Sequence, residues 1–282
     1  MKKRTDRKLP LSNLLVLVLS LATLQFRASA AIVDTVDTYS ASMKKTIKAV
    51  VITPDNYATA GNLPVVYLLH GHSGTYRDWI KNAKGFEKAA DQYQFIIVCP
   101  DGNNSWYWDS PVDPVFKYET YVSQELVSWI DGKYKTIRTP KGRAITGLSM
   151  GGHGALYLAF RHQDVFGAAG SMSGGVDIRP FTKNWNIPER LGKFEDNRDN
   201  WEKYTVINML GLVKPKALAL IIDCGTDDFF FKVNESLHQE LLQRKIPHDY
   251  ITRPGGHSWP YWNNAIGYQL LFMNNFFKSQ GK

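Results

Sequence analysis

Ser149 sits at the centre of Gly147-Leu148-Ser149-Met150-Gly151, a G-x-S-x-G pentapeptide. The short apolar stretch Arg143–Thr146 precedes it, opened by the turn-forming Pro140-Lys141-Gly142, and a run of small and apolar residues from Gly152 to Phe160 follows. Strand, sharp turn and helix together are the setting in which this pentapeptide presents a nucleophilic hydroxyl for attack on an acyl carbon. The turn holds the serine in a strained backbone conformation. Glycines two residues to either side let strand and helix pass without Cβ clashes.

A serine hydroxyl is a weak nucleophile at neutral pH, so it needs a base, and the base needs an orienting acid. In the elbow architecture these follow in the chain order Ser, Asp or Glu, His. The last third of the chain holds His238, His248 and His257. His238 falls within Val233–Gln243, which reads as a helix surface, and His248 opens a strand-like HDYIT run at the wrong end of the sheet. His257 follows that strand in the loop Pro254-Gly255-Gly256-His257-Ser258-Trp259-Pro260, where a glycine pair lets it reach the serine. His257 is the expected base. The acid is expected after the preceding apolar strand, Ala217–Ile222, where Asp223, Asp227 and Asp228 follow. Asp223 belongs to the strand end and reads as structural, while the pattern alone does not separate Asp227 from Asp228.

Charge that develops on an ester carbonyl oxygen is best met by fixed backbone N–H donors. One is expected from Met150, the residue after the nucleophile, and the other from the loop after an earlier central strand. Val65–Leu69 is that strand and His70-Gly71-His72-Ser73-Gly74 is the loop, which puts the second donor at the backbone of His72. His70 and His72 could instead chelate a metal, but a catalytic zinc takes three protein ligands and no third stands at short spacing. No metal or cofactor is expected.

The segments YLLHGHSGTYRDW, PDGNNSWYWDSP, GLSMGGHGA, CGTDD and GGHSW, in this order from about Thr38 onward, resemble the esterase D (Putative esterase) family of α/β hydrolases. That family holds S-formylglutathione hydrolases, feruloyl and acetyl esterases and mycolyltransferases. The resemblance implies an α/β-hydrolase fold, with a mostly parallel sheet and helices on both faces. It places the nucleophile on Ser149, the base on His257, the acid on Asp228 and an oxyanion donor on the His72 N–H. The histidine at position 72 stands where relatives often carry a smaller or aliphatic residue. Backbone donation survives that change, and the pocket shape need not.

The amino terminus carries Lys2, Lys3, Arg4, Arg7 and Lys8, then the apolar Leu14–Leu24 and an Ala28-Ser29-Ala30 cleavage pattern. Residues 1–30 therefore read as a secretory signal peptide cut after Ala30. The apolar stretch is shorter than the roughly 20 residues of a spanning helix, so no stable membrane anchor is expected after cleavage. Loss of this segment removes six basic residues and one acidic residue, lowering the formal charge from +8 to +3. A nearly balanced chain gives no reason to expect a nucleic-acid partner. The expected location is the periplasm or the exterior.

Residues 31–282, about 250 residues, fit one catalytic α/β domain. Polar alternation marks Thr35–Ser42 and Lys45–Thr53 as exposed antiparallel strands. Central strands are expected at Val65–Leu69, Phe95–Val98, Ala144–Gly147, Ala168–Ser171, Ala217–Ile222 and Asp249–Thr252. Helices are expected over Tyr118–Tyr134 and Asn263–Lys278, while Gly174–Thr205 reads as an excursion over the site. The two cysteines, Cys99 and Cys224, stand at the ends of strands that are four steps apart in the family's usual order, roughly 19 Å. A disulfide needs Cα atoms within about 7 Å, so two free buried thiols are expected.

Trp106 and Trp108 follow the fourth strand, and Trp259 and Trp262 crowd His257. Such aromatic faces could stack on a sugar or an aromatic acyl group, or wall the core. The expectation is an exported serine carboxylesterase acting through an acyl-enzyme on acetyl or feruloyl groups of plant polysaccharide or oligosaccharides. An acyltransferase with the same triad is the alternative within enzymes. A formylglutathione thioesterase fits an exported chain poorly, and a silent carbohydrate-binding relative is the alternative outside enzymes.

Overall fold

The computed structural model describes residues 30–281. The signal peptide read in residues 1–30 lies outside the described residues, apart from Ala30. Strands form at β1 (Ile32–Ser40), β2 (Lys45–Thr53), β3 (Val65–Leu69), β4 (Ile96–Pro100), β5 (Arg143–Gly147), β6 (Ala168–Met172), β7 (Ala219–Gly225) and β8 (Asp249–Arg253). They make one sheet in the order β1-β2-β4-β3-β5-β6-β7-β8. β1 and β2 pair antiparallel, as do β2 and β4, and every later pairing is parallel.

The burial of each strand follows its place in this order. β3, β4, β5 and β6 are buried at every residue, as parallel strands covered on both faces must be. β1 lies at one edge and β8 at the other, and both keep exposed residues. Successive side chains of a strand point to opposite faces, so Val65, Tyr67 and Leu69 enter one core and Val66 and Leu68 the other. Helices of the excursion contribute Ile187, Leu191, Trp201 and Tyr204 to the first core, which is otherwise covered by three longer helices. These are α1 (Tyr118–Thr120, a π-helical turn Tyr121–Leu126, then Val127–Lys133), α2 (Met150–Arg161) and α3 (Phe231–Gln243). The second is covered by Trp79, Phe86 and their neighbours and by α4 (Trp259–Gln280).

Several boundaries differ from the sequence expectation for local reasons. β7 runs on to Gly225 because Cys224 and Gly225 pair with Thr252 and Arg253 of β8, so Asp223 lies within the strand. α4 starts at Trp259 rather than Asn263, with Pro260 in its first turn, where the missing N–H has no helical partner to lose. The π-helical turn in α1 carries Tyr121, whose hydroxyl bonds Thr38 of β1 at 2.7 Å. Cys99 and Cys224 are free and buried. They lie on β4 and β7, four steps apart in the sheet, and burial pushes both thiols up.

Candidate active site

Loops at the C-terminal ends of the parallel strands bring the candidate residues together. β5 ends at Gly147 and α2 starts at Met150, so Leu148 and Ser149 make the whole connection. Ser149 sits at φ 56°, ψ −119°, and its N–H donates to the Met172 carbonyl at 2.8 Å. Close approach explains both glycines of the pentapeptide. A Cβ on Gly151 would stand 2.6 Å from the His70 carbonyl oxygen, and one on Gly147 2.6 Å from the Gly151 carbonyl oxygen. Strained serine geometry persists because these contacts over-determine it.

Ser149 Oγ lies 2.9 Å from His257 Nε2, and His257 Nδ1 lies 2.8 Å and 3.0 Å from Asp228 Oδ2 and Oδ1. An ionised carboxylate only accepts, so Nδ1 carries the proton and Nε2 is left to accept from the serine hydroxyl. Asp228 is buried and takes the Phe230 N–H on Oδ1 at 2.8 Å, which fixes its direction. Asp227 is exposed and bonds the Gly255 N–H instead. Asp223 is buried beneath the site, where it accepts from Arg253 and Tyr261; burial raises its carboxyl despite both partners. His238 and His248 meet each other at 2.7 Å, away from Ser149.

The loop after β3 forms a turn closed by the Gly74 N–H on the Gly71 carbonyl at 3.1 Å, with Ser73 at φ 60°. A Cβ on Gly71 would stand 3.4 Å from Ser149 Cβ, so the Gly71–His72 peptide borders the nucleophile. Met150 opens α2, and a first-turn N–H has no partner inside its own helix. Among the described residues, neither the His72 nor the Met150 N–H has a backbone acceptor. The side chains of the two histidines are already engaged. His72 meets Asn186 Oδ1 at 2.9 Å and Ser73 Oγ at 3.0 Å. His70 meets the Gly71 carbonyl and the Gly102 N–H, each at 2.7 Å.

The aromatic expectation needs correction. Trp106 and Trp108 are fully buried and stacked on each other, and both meet the ring of His153 edge-on. Their indole N–H groups donate to the Trp185 carbonyl and to His153 Nε2, each at 2.9 Å. They support the floor beneath the elbow and offer no face to a ligand. Trp262 is buried edge-on against His257, with Trp259 half-buried behind it against Trp79. The open aromatic that borders the base is Phe229, and Trp185 lies behind it. Phe229 is 52% exposed, its ring centroid 4.2 Å from that of His257, and the half-buried Trp185 stacks on it at 5.5 Å. Phe229 directly follows the acid, a signal the sequence did offer; Trp185 comes from the excursion and had none.

A groove of about 500 Å³ bounded by Phe86, Tyr93, Ile266 and Leu270 lies against the second core and holds no serine, histidine or carboxylate. The chemistry gathers at the elbow instead.

The chain resembles known proteins over most of its length. The chain is 25% identical over 256 residues to an acetyl esterase of Caldicellulosiruptor saccharolyticus, covering 84% of this chain and 96% of that one. It is 32% identical over 240 residues to the diacylglycerol acyltransferase/mycolyltransferase Ag85B of Mycobacterium leprae, covering 72% and 73%. A solved ferulic acid esterase superposes with a TM-score of 0.77 at 27% identity, covering 88% of this chain and 99% of that one. The family model described as Putative esterase matches residues 40–273, and the chain belongs to that family of α/β hydrolases.

Proposed function

We propose that this protein is an exported serine carboxylesterase that works through an acyl-enzyme. The observation that carries the reading is the hydrogen-bonded line from Ser149 through His257 to Asp228. Ser149 Oγ attacks the ester carbonyl while His257 Nε2 takes its proton. Asp228 holds the imidazolium that results. The oxyanion faces the His72 and Met150 N–H groups, donors that do not reorganise during reaction. His257 then gives its proton to the departing alcohol, and water repeats the sequence on the acyl-enzyme.

The substrate we propose is an acetyl or feruloyl ester of plant polysaccharide or its oligosaccharides. The acetyl esterase and ferulic acid esterase among the relatives support this class. Export rests on the basic and apolar pattern of residues 1–30. Hydrolysis of p-nitrophenyl acetate tests the activity. A panel of acetylated xylan, methyl ferulate and short-chain esters tests the substrate, and absence of turnover on all of them would overturn the reading. Similarity to the acyltransferase Ag85B favours one second reading, transfer of the acyl group to a sugar hydroxyl. Product analysis with an added sugar acceptor separates the two.

A further inference from the structure

His70 takes no part in the chemistry outlined above, yet it is buried, with 1% of its surface exposed, directly beside the oxyanion loop. Its two ring nitrogens have partners that leave one arrangement of protons. A carbonyl oxygen can only accept, so Nδ1 carries hydrogen and donates to the Gly71 carbonyl at 2.7 Å. A backbone N–H can only donate, so Nε2 is bare and accepts from Gly102 at 2.7 Å. The ring is therefore neutral and held in its Nδ1–H tautomer. Burial lowers its basicity, outweighing the Asp101 carboxylate 4.0 Å from Nε2.

The Gly71 carbonyl belongs to the same peptide unit as the His72 N–H. That unit is planar and trans, so its C=O and N–H point in opposite directions. Holding the oxygen on one side holds the N–H on the other. Two donors hold it, His70 Nδ1 and the Gly74 N–H. A glycine at position 71 would otherwise allow the peptide to rotate at little steric cost. The frame around His70 is also fixed: its own carbonyl accepts the Tyr107 hydroxyl at 3.0 Å.

We propose that His70 is a positioning residue that fixes the Gly71–His72 peptide with its N–H turned toward the oxyanion. The inference rests on the reading that this site forms a tetrahedral oxyanion. Asparagine places an amide donor where Nδ1 stands, and glutamine places an acceptor where Nε2 stands. His70→Asn therefore keeps the bond to Gly71 and loses the one to Gly102, whereas His70→Gln does the reverse.

The experiment measures kcat, KM and affinity for a trifluoromethyl ketone, which forms the tetrahedral adduct. His70→Gln should lose about 10²–10³-fold in kcat, with KM changed by no more than a few-fold and ketone affinity falling alongside kcat. His70→Asn should recover to within about tenfold of the natural protein. Equal losses in the two variants, or wild-type kcat and ketone affinity in His70→Gln, would overturn the proposal while leaving the esterase reading intact. Failure of the unaltered protein to hydrolyse esters or bind the ketone would instead remove the esterase reading. ¹⁵N spectra of the histidines of the unaltered protein check the premise without any variant: the Nδ1–H tautomer at His70 is expected, and an Nε2–H tautomer would overturn the proposal.

Discussion

Asp227 and Gly255 clasp each other twice: the Asp227 carboxylate accepts the Gly255 N–H at 3.2 Å, and the Asp227 N–H donates to the Gly255 carbonyl at 3.0 Å. The residue beside the acid thus fastens the loop that carries the base, while Asp228 alone reaches His257. Asp228→Asn should lower kcat by about 10³–10⁴-fold, because the imidazole loses its orienting acceptor and the imidazolium its counter-charge. Asp227→Asn keeps the backbone half of the clasp and an amide oxygen that can still accept the Gly255 N–H, so it removes only an exposed charge, an effect of less than about tenfold. Steady-state kinetics on one ester decides between them. A larger loss from Asp227→Asn would reassign the acid and leave the serine and base in place.

His153 connects the elbow helix to stability in acid. Its ring is wholly buried, with Nδ1 against the Gly175 carbonyl at 2.9 Å and Nε2 taking the Trp108 indole N–H. Burial pushes its pKa down to about 4 from an ordinary 6.5. The unfolded chain therefore takes up a proton more readily than the folded one. The stabilisation from the neutral ring is complete above pH 6.5 and lost as pH falls toward 4, about 3 kcal/mol in all. Urea unfolding of the natural protein and of His153→Asn between pH 7 and 4.5 tests this. The stability gap between them should narrow as pH falls, and a constant gap would show that His153 is not a buried neutral base.

The line of Ser149, Asp228 and His257 was legible because each residue follows a recognisable strand, and a parallel sheet puts all such strand ends on one side. The split between Asp227 and Asp228 needed the family resemblance, since two adjacent aspartates in one turn have the same local chemistry. The choice between substrate face and core wall for the aromatics was left open by the sequence, and a backbone feature decides it for two of them. Trp106 and Tyr107 adopt φ 56° and 62°, left-handed values that large side chains rarely take, and the loop that contains them packs both rings into the core. Trp185 and Asn186, at φ 51° and 57°, form a second such pair that carries Trp185 to Phe229 and Asn186 to His72. Nothing in the residue types announces either turn.

That placement makes opposite predictions for two aromatic residues. Trp106→Ala empties a filled site under the elbow and should destabilise the fold by about 3–5 kcal/mol. Phe229→Ala should change stability by less than about 1 kcal/mol while altering kcat/KM by about three- to tenfold, because its ring borders His257 and faces solvent. Thermal melts and kinetics on both variants check the pair. Substantial unfolding from Phe229→Ala with unchanged kcat/KM in the folded fraction would return Phe229 to the core.

Ser149 and His257 share one hydrogen bond at 2.9 Å, and the proposed mechanism uses them as a single unit. Ser149→Ala removes the atom that forms the acyl-enzyme, so kcat should fall by about 10⁴–10⁶-fold. His257→Ala should lose nearly as much, since a hydroxyl without its base stays protonated at neutral pH. The double variant should lose little more than either single one, because the second substitution removes a partner whose function is already gone. All three should fold: alanine fits the elbow backbone as serine does, and the His257 ring is partly exposed. A serine-directed fluorophosphonate should label the natural protein at Ser149 with one-to-one stoichiometry and leave Ser149→Ala unlabelled. Multiplicative losses in the double variant would mean that the two residues act in separate steps, and labelling at Ser171 or Ser173 would move the nucleophile off the elbow.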